Sequence, residues 1–212
     1  MINLLRKKFR YNYINATIII AVINVAVFVL TKFFPTLKFY LSLNPRAVID
    51  YHMYWQLLTC TFVHANFLHL FLNMFGLISF GMYVEKSLGS KEYILFIFIC
   101  AIFSNALSLA FFVIGGWWNT LLMGASGIVF SILFAFAVIF PTVRVSIYGI
   151  IPVPAPVCVI LFALIELGCQ FFGISGGIAH MTHLFGFLGA WLYFPIRLGV
   201  SPIRIWIEAS KH

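Results

Sequence analysis

The sequence predicts an all-α, polytopic membrane protein, a bundle of six transmembrane helices, on three observations. Hydrophobic residues make up 63% of the 212-residue chain and charged residues 8%. A soluble domain carries about 25% charged residues, so this composition cannot cover a water-facing surface. The apolar residues fall into six runs near the length of about 20 residues that a bilayer demands, rather than into one long anchor. The cationic residues gather at the ends of those runs, as they do in cytoplasmic flanks. A net charge of +8 would by itself suggest a nucleic-acid partner; its placement argues for a lipid bilayer instead. Residues 1–212 read as a single membrane domain.

The first helix is predicted at 14–34. Arg6, Lys7, Lys8 and Arg10 precede it. No small-residue cleavage site follows before Lys32 and Pro35, so the segment reads as a retained helix rather than a signal peptide. A long, semi-polar first external loop follows, about 35–66. Its Phe39, Tyr40, Tyr51, Tyr54 and Trp55 suit a segment lying in the membrane interface. The remaining helices are predicted at 67–84, 93–114, 126–140, 150–172 and 179–196. Lys86 and Lys91 lie between the second and third, Arg144 between the fourth and fifth, and Arg197, Arg204 and Lys211 after the sixth. The connections 115–120 and 173–178 carry no charge. With the N-terminus inside, all of the thirteen Lys and Arg except Lys32, Lys38 and Arg46 fall on the cytoplasmic side. An even helix number then places both termini in the cytoplasm. Cys60, Cys100, Cys158 and Cys169 are scattered and read as packing residues, with no disulfide framework or metal knuckle.

Polar groups inside a bilayer are expensive, and mark either function or a buried hydrogen bond. Here His64, His69 and Asn73 open the second helix, Ser126 opens the fourth within Gly124-Ala125-Ser126-Gly127, His180 and His183 open the sixth, and Glu166 lies in the fifth. A lone membrane serine usually bonds its own backbone, and a lone histidine usually packs. The three sets, however, share a depth. At 1.5 Å per residue, Ser126 stands about 22 Å above Pro141, His183 about 21 Å above Arg197, and Asn73 and His69 about 18 and 24 Å above Glu85. The hydrocarbon core is about 30 Å thick, so these groups fall in one layer below the outer surface. The fourth helix is too short to span. Residues 121–125 must therefore descend as irregular chain, which is allowed only where it lines a cavity.

The local pattern suits nucleophilic catalysis. Gly124 and Gly127 flank the serine and free the backbone around it. A helix N-terminus favours negative charge, as the oxyanion formed by serine attack requires. Phe130, one turn on, shares the serine's face and can pack against a histidine ring. His183, Gly186 and Ala190 follow one stripe, and small residues there let two helices approach closely. His69 and Asn73, at i and i+4, can donate hydrogen bonds into the same cavity. His183 is favoured over His180 because its depth matches that of Ser126; His180 sits about 4–5 Å nearer the surface and is expected to bond a loop carbonyl or water. Asp50, Glu85 and Glu92 lie elsewhere and Glu166 is on another helix, so a Ser–His dyad is expected without a third carboxylate. Glu166 is expected to be a buried, protonated structural carboxyl. His-x4-His and His-x2-His do not match the helical zinc-protease spacing, and no metal or other cofactor is expected.

These residues carry a resemblance to the rhomboid family of intramembrane serine proteases, in its bacterial-type six-helix form. The family's Gly-x-Ser-Gly matches Gly124–Gly127, its His-x4-His-x3-Asn matches His64, His69 and Asn73, and its Ala-His-x2-His-x2-Gly resembles Ala179–Gly186. Glu85 at the end of the second helix also fits. The resemblance implies that Ser126 is the nucleophile and His183 the general base and then acid. It implies an oxyanion hole of His69, Asn73 and the Ser126 N–H, with Ala125 in the same loop and His64 supporting the first loop. It implies cleavage of single-pass membrane proteins near the outer face of a bacterial inner (plasma) membrane, with the fifth helix and final external loop controlling access. A catalytically inactive, client-binding relative and a membrane metalloenzyme are the alternatives, with a transporter, supported by Glu166 alone, as a third. One departure is visible: many members carry Trp-Arg in the first loop, where this chain has Trp55-Gln56.

Overall fold

A computed structural model describes residues 6–7, 9–147, 151–172 and 178–211. The apolar runs become helices because a bilayer leaves no partner for backbone N–H and C=O groups except the chain itself. The first is α1 (Ala16–Phe33). The expected external loop is itself ordered into α2 (Pro35–Leu41), α3 (Pro45–Asp50) and α4 (Gln56–Thr59), then a 3-10 turn at Cys60–Phe62. Next come α5 (Phe67–Leu88), α6 (Ser90–Ile114) and α7 (Ser126–Ile139). An antiparallel hairpin, β1 (Arg144–Ile147) and β2 (Ile151–Pro154), leads into α8 (Ala155–Phe171). The chain ends with α9 (Ile178–Tyr193), its π-helical continuation Phe194–Leu198, and α10 (Pro202–Ala209) after a 98° bend.

Among the described residues α1, α5 and α6 are each long and apolar enough to cross a bilayer alone, while α7 and α8 are shorter apolar helices. The 14 residues of α7 reach only about 21 Å, as its early start below the surface predicts. Three boundaries differ from expectation. The second helix runs past Glu85 to Leu88 and stops at Gly89, whose φ is 81°. The third therefore starts at Ser90. The fifth starts at Ala155 rather than 150, because Pro152 and Pro154 lie in an extended strand paired with Arg144–Ile147, and proline deprives a helix of its N–H donors. The predicted connection 173–178 lies almost wholly outside the described residues.

One end of the bundle is tied by carboxylates. Glu85 is fully buried and accepts from the Ala16 and Thr17 N–H groups at 2.6 and 2.9 Å, from Thr17 Oγ1 at 2.8 Å and from Ser90 Oγ at 2.5 Å. It thus satisfies free donors at the start of α1 with a charge the helix dipole favours. Glu92 takes Arg197 Nε and Nη2 at 2.9 and 2.7 Å, and Arg6 donates to the Pro195 carbonyl at 2.9 Å. At the opposite end, Leu43 bridges Leu122. Gln56, fully buried, accepts from Asn44 N–H at 3.0 Å and donates to the Tyr40 carbonyl at 3.1 Å. The residue that departs from the family pattern is therefore itself an anchor of the first loop. Between the two ends α7 packs against α5, α6, α8 and α9, with Ile132, Ala135 and Ala137 fully buried.

Candidate active site

Ser126 is the first residue of α7, at the foot of the irregular descent 121–125. The descent is held from the first loop. Gly124 N–H donates to the Cys60 carbonyl at 3.0 Å, and the Ala125 N–H donates to His64 Nε2 at 3.4 Å. His64 is only 1% exposed. Burial, with His69 adding to it, pushes its imidazole down to about 4, so Nε2 keeps the lone pair that the Ala125 N–H requires. His64 was expected to support the first loop; its observed contact is with the chain just before Ser126. Gly124 has φ +127°, a region closed to most side chains. A Cβ there would stand 2.7 Å from His69 Cε1, 2.8 Å from His69 Nε2 and 3.8 Å from Ser126 Oγ. The His69 ring and the Ser126 hydroxyl therefore face one small space, floored by the glycine. Asn73 is buried one turn below. Its Nδ2 donates to the His69 carbonyl at 2.8 Å, back onto its own helix rather than into the space.

The other wall is α9, which approaches α7 too closely at Gly186 to admit a side chain there. A Cβ on Gly186 would stand 2.3 Å from the Gly127 carbonyl oxygen. The Ser131 hydroxyl lies 2.9 and 2.8 Å from the Gly127 and Gly186 carbonyls, and Thr182 Oγ1 pairs with Ser108 Oγ at 2.8 Å. Ala190 is fully buried. Phe130 stacks on His183 with ring centroids 4.3 Å apart and planes 12° apart. The predicted stripe and ring packing are thus both present. Among the described residues no hydrogen bond joins Ser126 Oγ to His183; such bonds are often long before substrate binds.

One expectation is overturned. A carboxylate does lie against His183: Glu166 Oε1 is 2.9 Å from its Nδ1. The contact is off the ring N–H axis, so it is a close approach of the carboxylate to the ring rather than an aligned hydrogen bond. The other oxygen, Oε2, bonds His180 Nδ1, so His180 meets a carboxylate rather than the expected loop carbonyl or water. Glu166 is 8% exposed. Chain position placed it on a different helix, but α8 packs on α9 and turns this side chain toward both histidines. One ligand atom from each of Glu166, His180 and His183 lies within 4.8 Å of the others, a set able to hold a cation at the expense of His183. The Ser108–Thr182 pair and the Ser131 clamp were also unforeseen, although hydroxyls inside apolar runs were a visible signal. Beside Phe130, an apolar cavity of about 400 Å³ opens between α5, α7 and α8, lined by Phe75, Phe80, Val129, Phe162 and Ile165.

The family model for the Rhomboid domain matches residues 51–199. The chain belongs to the rhomboid family. Rhomboid-like protease 1 of Toxoplasma gondii is 37% identical over 84 residues, 39% of this chain and 27% of that protein. RHOMBOID-like protein 4 of Arabidopsis thaliana is 27% identical over 168 residues, 79% of this chain and 40% of that protein. Inactive RHOMBOID-like protein 8 of the same plant is 29% identical over 76 residues, 36% of this chain and 22% of that protein. This rhomboid therefore spans less than half the length of each. The relatives include both a protease and an inactive member by name, so membership establishes a multi-pass membrane protein and leaves its chemistry to the site.

Proposed function

We propose that this rhomboid is an intramembrane serine endopeptidase that cleaves transmembrane segments of single-pass membrane proteins near the outer face. The observation that carries the reading is the meeting of the Ser126 hydroxyl and the His69 ring over Gly124, at the N-terminus of a helix locked backbone to backbone against the His183 helix. His183 takes the Ser126 proton as Oγ bonds the scissile carbonyl carbon. The carbonyl electrons move onto its oxygen, which the Ser126 N–H, His69 and Asn73 then hold. For this, Asn73 exchanges its bond to the His69 carbonyl for one to the oxyanion. His183 passes the proton to the leaving amine, and water releases the acyl group by the reverse sequence. The apolar cavity between α5 and α8 suits lateral arrival of a hydrophobic segment. The shared end of Arg6, Lys86 and Arg197 supports both termini on the cytoplasmic side of a bacterial inner membrane, where positive charge is retained.

The test is cleavage of a single-pass substrate by the purified protein in proteoliposomes, with fluorophosphonate labelling of the serine. Ser126→Ala should abolish both while leaving the fold intact, since it removes one hydroxyl. Activity within about tenfold of the parent, a barrier change of only about 1.4 kcal/mol, overturns the assignment. A parent protein that neither cleaves nor labels favours the second reading, an inactive client-binding rhomboid, for which the inactive relative is the precedent.

A further inference from the structure

A carboxylate buried among membrane helices is costly unless it is paired. Glu166 has found two partners, and both are histidines of α9: Oε1 lies 2.9 Å from His183 Nδ1 and Oε2 bonds His180 Nδ1. The helix packed on its other side, α7, carries no ionisable side chain from Ser126 to Ile139. The charge on Glu166 is therefore answered by these two rings. Each oxygen is committed to a different ring one turn apart, which aims the carboxylate. Phe130, stacked on the His183 ring at 4.3 Å, holds the plane of that ring from another side.

We propose that Glu166 is a positioning residue for His183, so that the reaction set is Ser126, His183 and Glu166, with His180 holding the far oxygen of the carboxylate; this rests on the protease reading above. A neutral imidazole carries one N–H, and the hydrogen bond or charge at one nitrogen decides which nitrogen that is. With an anionic oxygen beside Nδ1, the proton belongs at Nδ1 and the lone pair at Nε2, the nitrogen left to receive the Ser126 proton. Once that proton arrives, both nitrogens carry hydrogen and the ring is cationic. The carboxylate 2.9 Å away then stabilises a charge present only during turnover, which lowers the barrier rather than tightening substrate binding. Glu166 itself neither gains nor loses a proton.

The test compares the parent, Glu166→Gln and Glu166→Asp on the same single-pass substrate in proteoliposomes, with fluorophosphonate labelling rates alongside. Glutamine keeps the size and loses the charge. It should lower kcat and the labelling rate by about a hundredfold, the scale of a mispositioned general base, with KM changed by less than about twofold. Aspartate keeps the charge on a shorter arm and should recover at least about a tenth of the parent rate. A Glu166→Gln kcat within about threefold of the parent, or a loss confined to KM, overturns the proposal. So does parent activity that requires zinc or is lost to a chelator, because the cluster is then a metal site. Should the variants not fold, nitrogen-15 histidine spectra of the parent decide: protonated Nδ1 on His183 is expected, and protonated Nε2 overturns it. A parent that neither cleaves nor labels sinks the protease reading and this inference with it. A parent that does both while Glu166→Gln matches it sinks this inference alone.

Discussion

Replacing Gly186 by alanine tests whether the closeness of α7 and α9 is what assembles the site. The added Cβ would meet the Gly127 carbonyl oxygen at 2.3 Å, its carbon at 3.1 Å and its Cα at 3.3 Å. All three are backbone atoms, so no side chain can rotate away. Ordinary contact begins at 3.4 Å, which makes the clash about 1.1 Å deep, and the helices must part by roughly that distance. Gly127 adjoins Ser126, and Gly186 lies one turn from His183, so the separation falls on the reacting pair. Overpacking of this kind costs about 1–3 kcal/mol, or about 2–12 °C in melting temperature for a chain of this size. A misplacement of about 1 Å costs about a hundredfold in turnover. Both are read on purified protein, by thermal unfolding in detergent and by kcat on a single-pass substrate. Gly189→Ala is the control, because its Cβ meets the Phe103 ring at 3.0 Å, a side chain able to turn. If Gly186→Ala cleaves within about threefold of the parent, or Gly189→Ala is damaged equally, close helix approach is not what places His183.

Two further outcomes follow from the loop before the serine. Gly124→Ala places a methyl 2.7 Å from the His69 ring at a φ of +127°, so it should lose fluorophosphonate labelling and about 1–3 kcal/mol of stability; labelling at the parent rate would show that the descent tolerates a side chain. His64 is held neutral, its pKa lowered by burial to about 4. A group depressed in the fold stabilises it fully above its unfolded value, near 6.5, and that contribution is lost as pH falls toward 4, on the order of 3 kcal/mol in all. Melting temperatures between pH 7 and 4 should therefore fall more steeply for the parent than for His64→Gln, and parallel profiles would exclude His64 as the acid-sensitive group.

The parts of this protein legible in the sequence are those that depend on distance along a helix. Apolar runs mark where helices lie because lipid forbids any other backbone, and a fixed rise per residue sets Ser126, His69, Asn73 and His183 at one depth. Phe130 against a histidine ring, and small residues at Gly186 and Ala190 for a close helix approach, followed from which residues share a stripe; that Gly186 meets the Gly127 backbone is known from the structure. What periodicity leaves open is azimuth, the direction in which a helix turns its side chains toward a neighbour distant in the chain. Gln56 reads as a lost arginine until Asn44 and Tyr40 surround it. The start of the fifth helix was hidden because Ile, Val and Pro in a hairpin are as apolar as a span. Glu166 shows the limit most plainly: its depth was computable, but only the packing of α8 on α9 turns it toward two histidines. The number and order of the apolar helices, and the spacing of polar groups along each of them, were determined by the sequence alone, because hydration and helical rise are local. The partners of Glu166 were decided by tertiary structure, because the rotation of one helix against another is set by every side chain packed between them.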